Sequence, residues 1–185
     1  VLLIVSAYLV KAQDSAFLLF GGEKNDFGVA LTHSYSKDGI MLLASTRSYG
    51  NGSSDFLLMQ LNEELDLVKQ QCFGGIHHDL PKSLIKGNDN EYILFGSSFD
   101  FDSDKVDFNI TKVDSAGDFI SRQLFHRKNA DIGNKIIKCS DGNYVCVGMA
   151  SGGNSFGQSK FFKINPEGVI LIEKDFGENA IRDYG

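Results

Sequence analysis

The sequence predicts an all-β fold: a β-propeller fragment of about three four-stranded antiparallel blades, with partial units at both ends. Three observations carry this reading. A phenylalanine-led tetrad recurs as Phe20-Gly21-Gly22-Glu23, Phe73-Gly74-Gly75-Ile76 and Phe176-Gly177-Glu178-Asn179, with a weaker copy at Phe125-His126-Arg127-Lys128. The aromatic residues therefore stand 53, 52 and 51 positions apart. Between copies lie four short apolar runs separated by turn signals, and such a unit repeated every ~52 residues is the pattern of a propeller blade, which buries its faces against its neighbours. Composition agrees, since 20 glycines and only 2 prolines in 185 residues suit tight turns between short strands better than a helical bundle. The units run 20–72, 73–124, 125–175 and, incompletely, 176–185. A β-sandwich or an open solenoid fits a four-stranded repeat of this length less well.

Taken in order, residues 1–12 read as a signal peptide lacking its beginning. Residues 1–10 are nearly all apolar, and a run of about ten is too short to span a bilayer, which needs about twenty. Val10 and Ala12 occupy the small-residue positions of a cleavage site before Gln13, leaving 13–185 as the repeat region. Residues 16–20 predict a short strand aligned with outer strands at residues 70–73, 123–125 and 174–176, the ends of the later repeats. The first full unit then places strands at 27–32, 40–46 and 55–61, with Lys37-Asp38-Gly39 as its hairpin signal. The second unit has strands near 82–86, 92–97, 107–113 and 119–124, and the third near 135–139, 144–149, 160–164 and 169–174. Asp114-Ser115-Ala116-Gly117 and Asn165-Pro166-Glu167-Gly168 have the Asx-first, Gly-fourth form of a type I turn, and Asn62 opens the matching turn in the first unit. Ala44, Gly96 and Gly148 recur at spacings of 52, and a small residue repeated within a strand predicts close approach of a neighbouring sheet. Asp183-Tyr184-Gly185 matches Asp26-Phe27-Gly28 and reopens the pattern.

The Phe-Gly-Gly, Asp-Gly-x-Tyr/Ile and Lys/Gln-apolar-Asp/Asn-x-x-Gly pattern resembles the bacterial β-propeller repeats of exported proteins, including multi-repeat surface proteins of Bacteroidetes. The resemblance covers residues 16–185. It departs at Phe125-His126-Arg127, where both glycines are lost, and at Glu91, where a hairpin glycine is expected. It implies a secreted or cell-surface location.

No catalytic, cofactor-binding or metal residue is assigned. A net charge of −6 with scattered Lys and Arg disfavours nucleic acid and anionic membrane surfaces, and no membrane insertion is expected after signal cleavage. Asp100, Asp102 and Asp104 alternate as a calcium loop begins, but Lys105 replaces the turn glycine and no acidic residue follows at the twelfth position, so a solvated acidic loop is expected. His77-His78-Asp79 offers imidazoles beside a carboxylate, but adjacent residues on an extended chain point to opposite sides, so a polar inter-blade turn is expected. No nucleophile elbow occurs, and the glycine pairs lack the strand-to-helix setting of a phosphate loop. Asn51-Gly52-Ser53 and Asn109-Ile110-Thr111 fit glycosylation acceptors. Cys72, Cys139 and Cys146 are expected as free thiols; a two-residue turn on Asp141-Gly142 pairs Cys139 with Tyr144 and Ile137 with Cys146, leaving the two cysteines diagonal and too far apart to bridge. The expected function is a non-enzymatic binding, adhesion or scaffold module for a protein or glycan ligand, without a cofactor. The alternatives are an extracellular carbohydrate-active enzyme or lyase on the same fold, and a purely structural array.

Overall fold

The computed structural model describes residues 10–12, 15–17, 20–35, 39–100, 105–125, 131–150 and 158–176. Among them there are fourteen strands and no helix. β1 (Val10–Ala12) and β2 (Ser15–Phe17) pair only with each other. Of the strand expected at 16–20, Ala16 and Phe17 belong to β2 and pair with β1, and residues 18–19 lie outside the described residues. The rest forms three four-stranded antiparallel meanders. Blade 1 holds β3 (Asp26–His33), β4 (Ile40–Thr46), β5 (Asp55–Leu61) and β6 (Leu67–Phe73). Blade 2 holds β7 (Asp79–Lys86), β8 (Tyr92–Asp100), β9 (Lys105–Val113) and β10 (Phe119–Phe125). Blade 3 holds β11 (Asp131–Lys138), β12 (Tyr144–Ala150), β13 (Gln158–Ile164) and β14 (Ile170–Phe176). The reopening at Asp183 and residues 126–130, where the weaker tetrad copy continues after Phe125, lie outside the described residues.

The blades stack through their first strands. β7 lies against β3, β4 and β5, and β11 lies against β7, β8 and β9. Successive side chains of a strand face opposite sides, so one set of each blade faces its predecessor and the other its successor. Between blades 1 and 2, Met41, Leu43, Phe56, Leu58 and Phe73 meet Leu84, Tyr92, Leu94 and Val113. Between blades 2 and 3, Ile93, Phe95, Phe108, Ile110 and Phe125 meet Ile136, Tyr144, Cys146, Phe162 and Ile164. The repeated phenylalanine closes each junction: Phe73 and Phe125 are 8% and 7% exposed, whereas Phe176, on the free face of blade 3, is 52% exposed. Phe20 packs in the same way on Ala44, Leu57 and Met59 of blade 1.

Polar contacts repeat in the same register. The Tyr92 and Tyr144 hydroxyls accept from the backbone N–H groups of Tyr35 and Asn88 in the preceding hairpin, at 2.7 and 2.9 Å. Lys86 and Lys138 donate to the Ser34 and Gly87 carbonyls. On the outer edge, Gln71 donates to Asp118 and Gln123 to the Gly168 carbonyl, each reaching the turn of the following blade.

Each first strand carries a bulge two residues after its leading aspartate, at Gly28/Ala30, Pro81/Ser83 and Gly133/Lys135. These strands are sheet edges, which is why Pro81 is tolerated in β7. A Cβ on Gly148 would sit 2.5 Å from the Phe108 ring, and one on Gly133 would sit 2.5 Å from the Gly96 carbonyl. Both contacts join neighbouring blades, as predicted for Gly148. Within their own sheets, a Cβ on Gly96 would also strike the Leu80 carbonyl, and one on Gly148 the Ile132 carbonyl.

One turn reading needs correction. In the third hairpin, Gly142 N–H donates to Cys139, Cys139 N–H donates to Asn143, and Gly142 takes a φ of +81°. The loop is therefore one residue longer than a two-residue turn, so Lys138 pairs with Tyr144 and Ile136 with Cys146. All three cysteines are free, with Cys146 buried and Cys72 and Cys139 half-buried. In the second hairpin, Asp89 and Asn90 take φ of 47° and 58°, so the turn forms with no glycine. The 62–66 turn matches its two counterparts, but Leu65, at a φ of 66°, stands where they place Gly117 and Gly168.

Candidate functional site

The meander sends the tight hairpins to one end of each blade and the longer 2–3 and inter-blade loops to the other. At the loop end, each blade's first strand opens with an aspartate: Asp26, Asp79 and Asp131. Their spacing of 53 and 52 was available in the sequence, which pointed to Asp26 only within a three-residue match and to Asp79 only beside two histidines. Asp26 and Asp79 each tie the incoming loop to their sheet, with different partners in the two blades.

In blade 1, Asp26 accepts from Gly22 N–H at 2.8 Å, Thr46 Oγ1 at 2.5 Å and Ser48 Oγ at 2.7 Å. Burial alone raises its pKa, but these hydrogen bonds together outweigh it and hold the carboxyl below its usual value. In blade 2, Asp79 is 2% exposed. It accepts from Gly75 N–H at 2.7 Å, from Ser98 through a very short contact and from Arg122 Nη2 at 2.5 Å. Ser98 stands 52 residues after Thr46, Arg122 52 after Gln70, and Asn109, which donates to Ser98 at 2.9 Å, 52 after Leu57. In blade 3 the cation moves from the outer strand to the third one. Buried Lys160, 51 residues after Asn109, pairs with Glu173 at 2.5 Å and Asp175 at 2.7 Å, and Glu173 holds the position of Arg122.

Asp55, 1% exposed at the start of β5, comes near this network: a Cβ on Gly74 would strike both its carboxylate and that of Asp79. Burial pushes the Asp55 pKa up, Gly52 N–H at 3.1 Å opposes this, and the charge on Asp79 adds to the rise. Cys72 is pushed up to about 11, mainly by burial and further by Asp55 and Asp26, so at neutral pH it is a thiol and not a thiolate nucleophile. Beside Arg122 lies a groove of about 400 Å³ lined by Gln71, Cys72, Phe73, Gly74 and Phe119. Phe73 and Phe119 stack there with ring centroids 6.4 Å apart.

The residues singled out in the sequence do not converge. His78 Nδ1 lies 3.1 Å from Ser54 Oγ, its ring meets Phe99 edge-on, and Asp79 turns into the buried network. The loop is pinned by backbone bonds from Ser53 to His77 and from Asp79 to Ser54, and a Cβ on Gly52 would collide with the His77 carbonyl. The Asp100 side chain, Asp102 and Asp104 lie outside the described residues. Among the described residues, no group of three or more His, Cys, Asp or Glu is placed to hold a metal ion. Asn109 is 1% exposed and hydrogen-bonded inside blade 2, so Asn109-Ile110-Thr111 is not an accessible glycosylation site; Asn51 is exposed. Asp79 accepts from donors of its own blade and loop and so serves as a strut between them.

No family model and no curated protein matches this sequence. Among solved structures, one described as the crystal structure of the eukaryotic initiation factor matches at 8% identity and a TM-score of 0.48. The match covers 86% of this chain and 34% of that one, so this chain spans about a third of that protein's length. No function passes from that protein to this one.

Proposed function

We propose that this chain is an exported, non-enzymatic β-propeller module, at the cell surface or secreted, that binds a protein or glycan ligand or scaffolds other domains. The observation that supports the reading is the use made of buried charge. Asp26 and Asp79 are bonded by the loops and strands they organise, and Lys160 by two acids of its own blade. A ligand then meets loop backbone and the groove where the exposed Phe119 ring stacks on the buried Phe73, with Arg122 beside it. Export rests on the apolar stretch 1–10 and the small residues before Gln13.

The experiment combines a glycan array, capture of candidate surface proteins, and product release from a panel of polysaccharides. The reading expects saturable binding without turnover. It also expects Phe119→Ser, at a side chain already 58% exposed, to weaken binding at least tenfold with the melting temperature retained. Turnover of any polysaccharide, abolished by substitution of loop-end residues, overturns it in favour of the carbohydrate-active alternative.

A further inference from the structure

Equivalent positions of a repeat allow one blade junction to serve as the control for another. At the hairpin end of the junction between blades 1 and 2, Met41, Leu58, Gln60, Lys69, Gln71 and Gly117 enclose only about 10 Å³. Met41 Cε and Leu58 Cδ2 lie 3.5 and 3.6 Å from where a Gly117 Cβ would be, so the niche is filled. The counterparts between blades 2 and 3 are Ile93, Ile110, Lys112, Ser121, Gln123 and Gly168. They border a cavity of about 200 Å³, the liquid volume of about seven waters. Three of the exchanges account for its size and polarity. Met41 becomes the shorter Ile93, Lys69 becomes Ser121, and Gln60 becomes Lys112.

A fourth departure is the one the sequence marks at Glu91, 52 residues after Gly39. Its carboxylate lies in this cavity, 2.9 Å from Lys112 Nζ and 3.5 Å from the Tyr144 hydroxyl. Lys112 and Glu91 are largely buried, with side chains 17% and 11% exposed. Lys112 also donates to the Pro166 carbonyl at 2.8 Å, which accounts for two of the three N–H groups of an ammonium. The opposite walls are aliphatic, made by Ile93, Ile110, Ile164 and Ile120. The departures from the repeat therefore meet in one cavity, with the buried ion pair at one end, branched aliphatic walls around it and the solvent-exposed Glu167 also in its lining.

We infer that this cavity is a binding site for a small aliphatic zwitterion, an α-amino acid with a side chain the size of leucine. Its carboxylate takes the remaining Lys112 N–H and the Ser121 hydroxyl, its ammonium faces the Glu91 carboxylate, and its side chain lies among the isoleucines. A zwitterion completes an alternating square of charges on the Lys112–Glu91 pair, whereas a lone cation or anion leaves one of the buried charges facing its own sign. The cavity lies at the junction of blades 2 and 3 and the loop groove at that of blades 1 and 2, so leucine titration tests the site separately from the function proposed above.

The test is titration of the full chain with L-leucine by calorimetry and ligand-observed NMR. 4-Methylpentanoate, which lacks the ammonium, and 3-methylbutylamine, which lacks the carboxylate, serve as comparison probes. Leucine is expected to bind saturably in the millimolar range, with each analogue at least tenfold weaker. The variant Ile93→Met with Ser121→Lys refills the niche with the residues blade 1 already uses, and Lys112→Gln installs that of Gln60. The refilled variant should melt as the parent does, Lys112→Gln should melt lower because it leaves the buried Glu91 carboxylate without its cation, and each should lose leucine binding at least tenfold. No saturable leucine signal, equal binding by the refilled variant, or equal binding of either analogue overturns the inference.

Discussion

Replacing Arg122 by methionine keeps its aliphatic reach and removes the charge that faces Asp79. The carboxylate side chain is 3% exposed and that of Arg122 25% exposed, and Nη2 lies 2.5 Å from both Asp79 Oδ1 and Ser98 Oγ. Two unit charges about 4 Å apart interact by about 4 kcal/mol at an effective dielectric of about 20. Removing one partner of a buried pair costs about 3–5 kcal/mol, because the other charge stays buried. Asp79 keeps its bonds from Gly75 and Ser98, and Arg122 is partly solvated, so the loss should fall near the lower end, about 3 kcal/mol. For a chain of this length that lowers the melting temperature by about 6–12 °C. Urea denaturation at neutral pH is the assay, with the same slope expected for parent and variant. A loss below about 1 kcal/mol would place the contact among exposed ion pairs and refute the strut.

Four further outcomes follow from particular residues. Leu65→Gly should stabilise the chain by about 0.5–1 kcal/mol in urea, because Leu65 holds a φ of 66° where the other blades use glycine; an unchanged midpoint contradicts it. Asp55→Asn should raise the melting temperature at neutral pH, with the gain shrinking as the pH falls. The folded-state pKa of Asp55 is raised by burial, so ionisation costs stability as pH rises from the unfolded value through the folded one; a gain that grows on acidification refutes the sign. Asp26→Asn should do the reverse, destabilising above the unfolded carboxyl value and converging with the parent in acid, since its folded pKa is lowered. Thiol titration of the denatured, non-reduced monomer should count three free cysteines, and a count of one indicates a bridge.

The repeat length and the strand order were legible because each blade must bury two faces, which writes the same apolar pattern every ~52 residues. Thus Ile40–Thr46 and Asp55–Leu61 coincide with the sequence reading. The outermost strands were drawn short at their beginnings in blade 1, where β6 starts at Leu67 instead of residue 70, because Leu67-Val68-Lys69 has a mixed pattern with one side in solvent. The register at Cys139 was missed because Asp141-Gly142 suits both a two-residue turn and a three-residue loop, and only the φ of Gly142 and its bond to Cys139 decide between them. The polar network was harder to see. Its aspartates repeat, but their side-chain partners change from Thr46 and Ser48 to Ser98 and Arg122, so no single motif spans the blades. Glu91 was visible as a break in the pattern, yet its meaning depends on Lys112 and Tyr144 from other strands.

The stacking of one blade on the next is tested most directly at Gly148, where the absence of a side chain lets β12 meet the Phe108 ring of the preceding blade. Proton NMR should show NOEs between the Gly148 Hα protons and the Phe108 ring, with at least one Hα shifted upfield by the ring current and returned to its ordinary position in Phe108→Leu. An unshifted Gly148 with no contact to Phe108 would contradict a radial stack of blades.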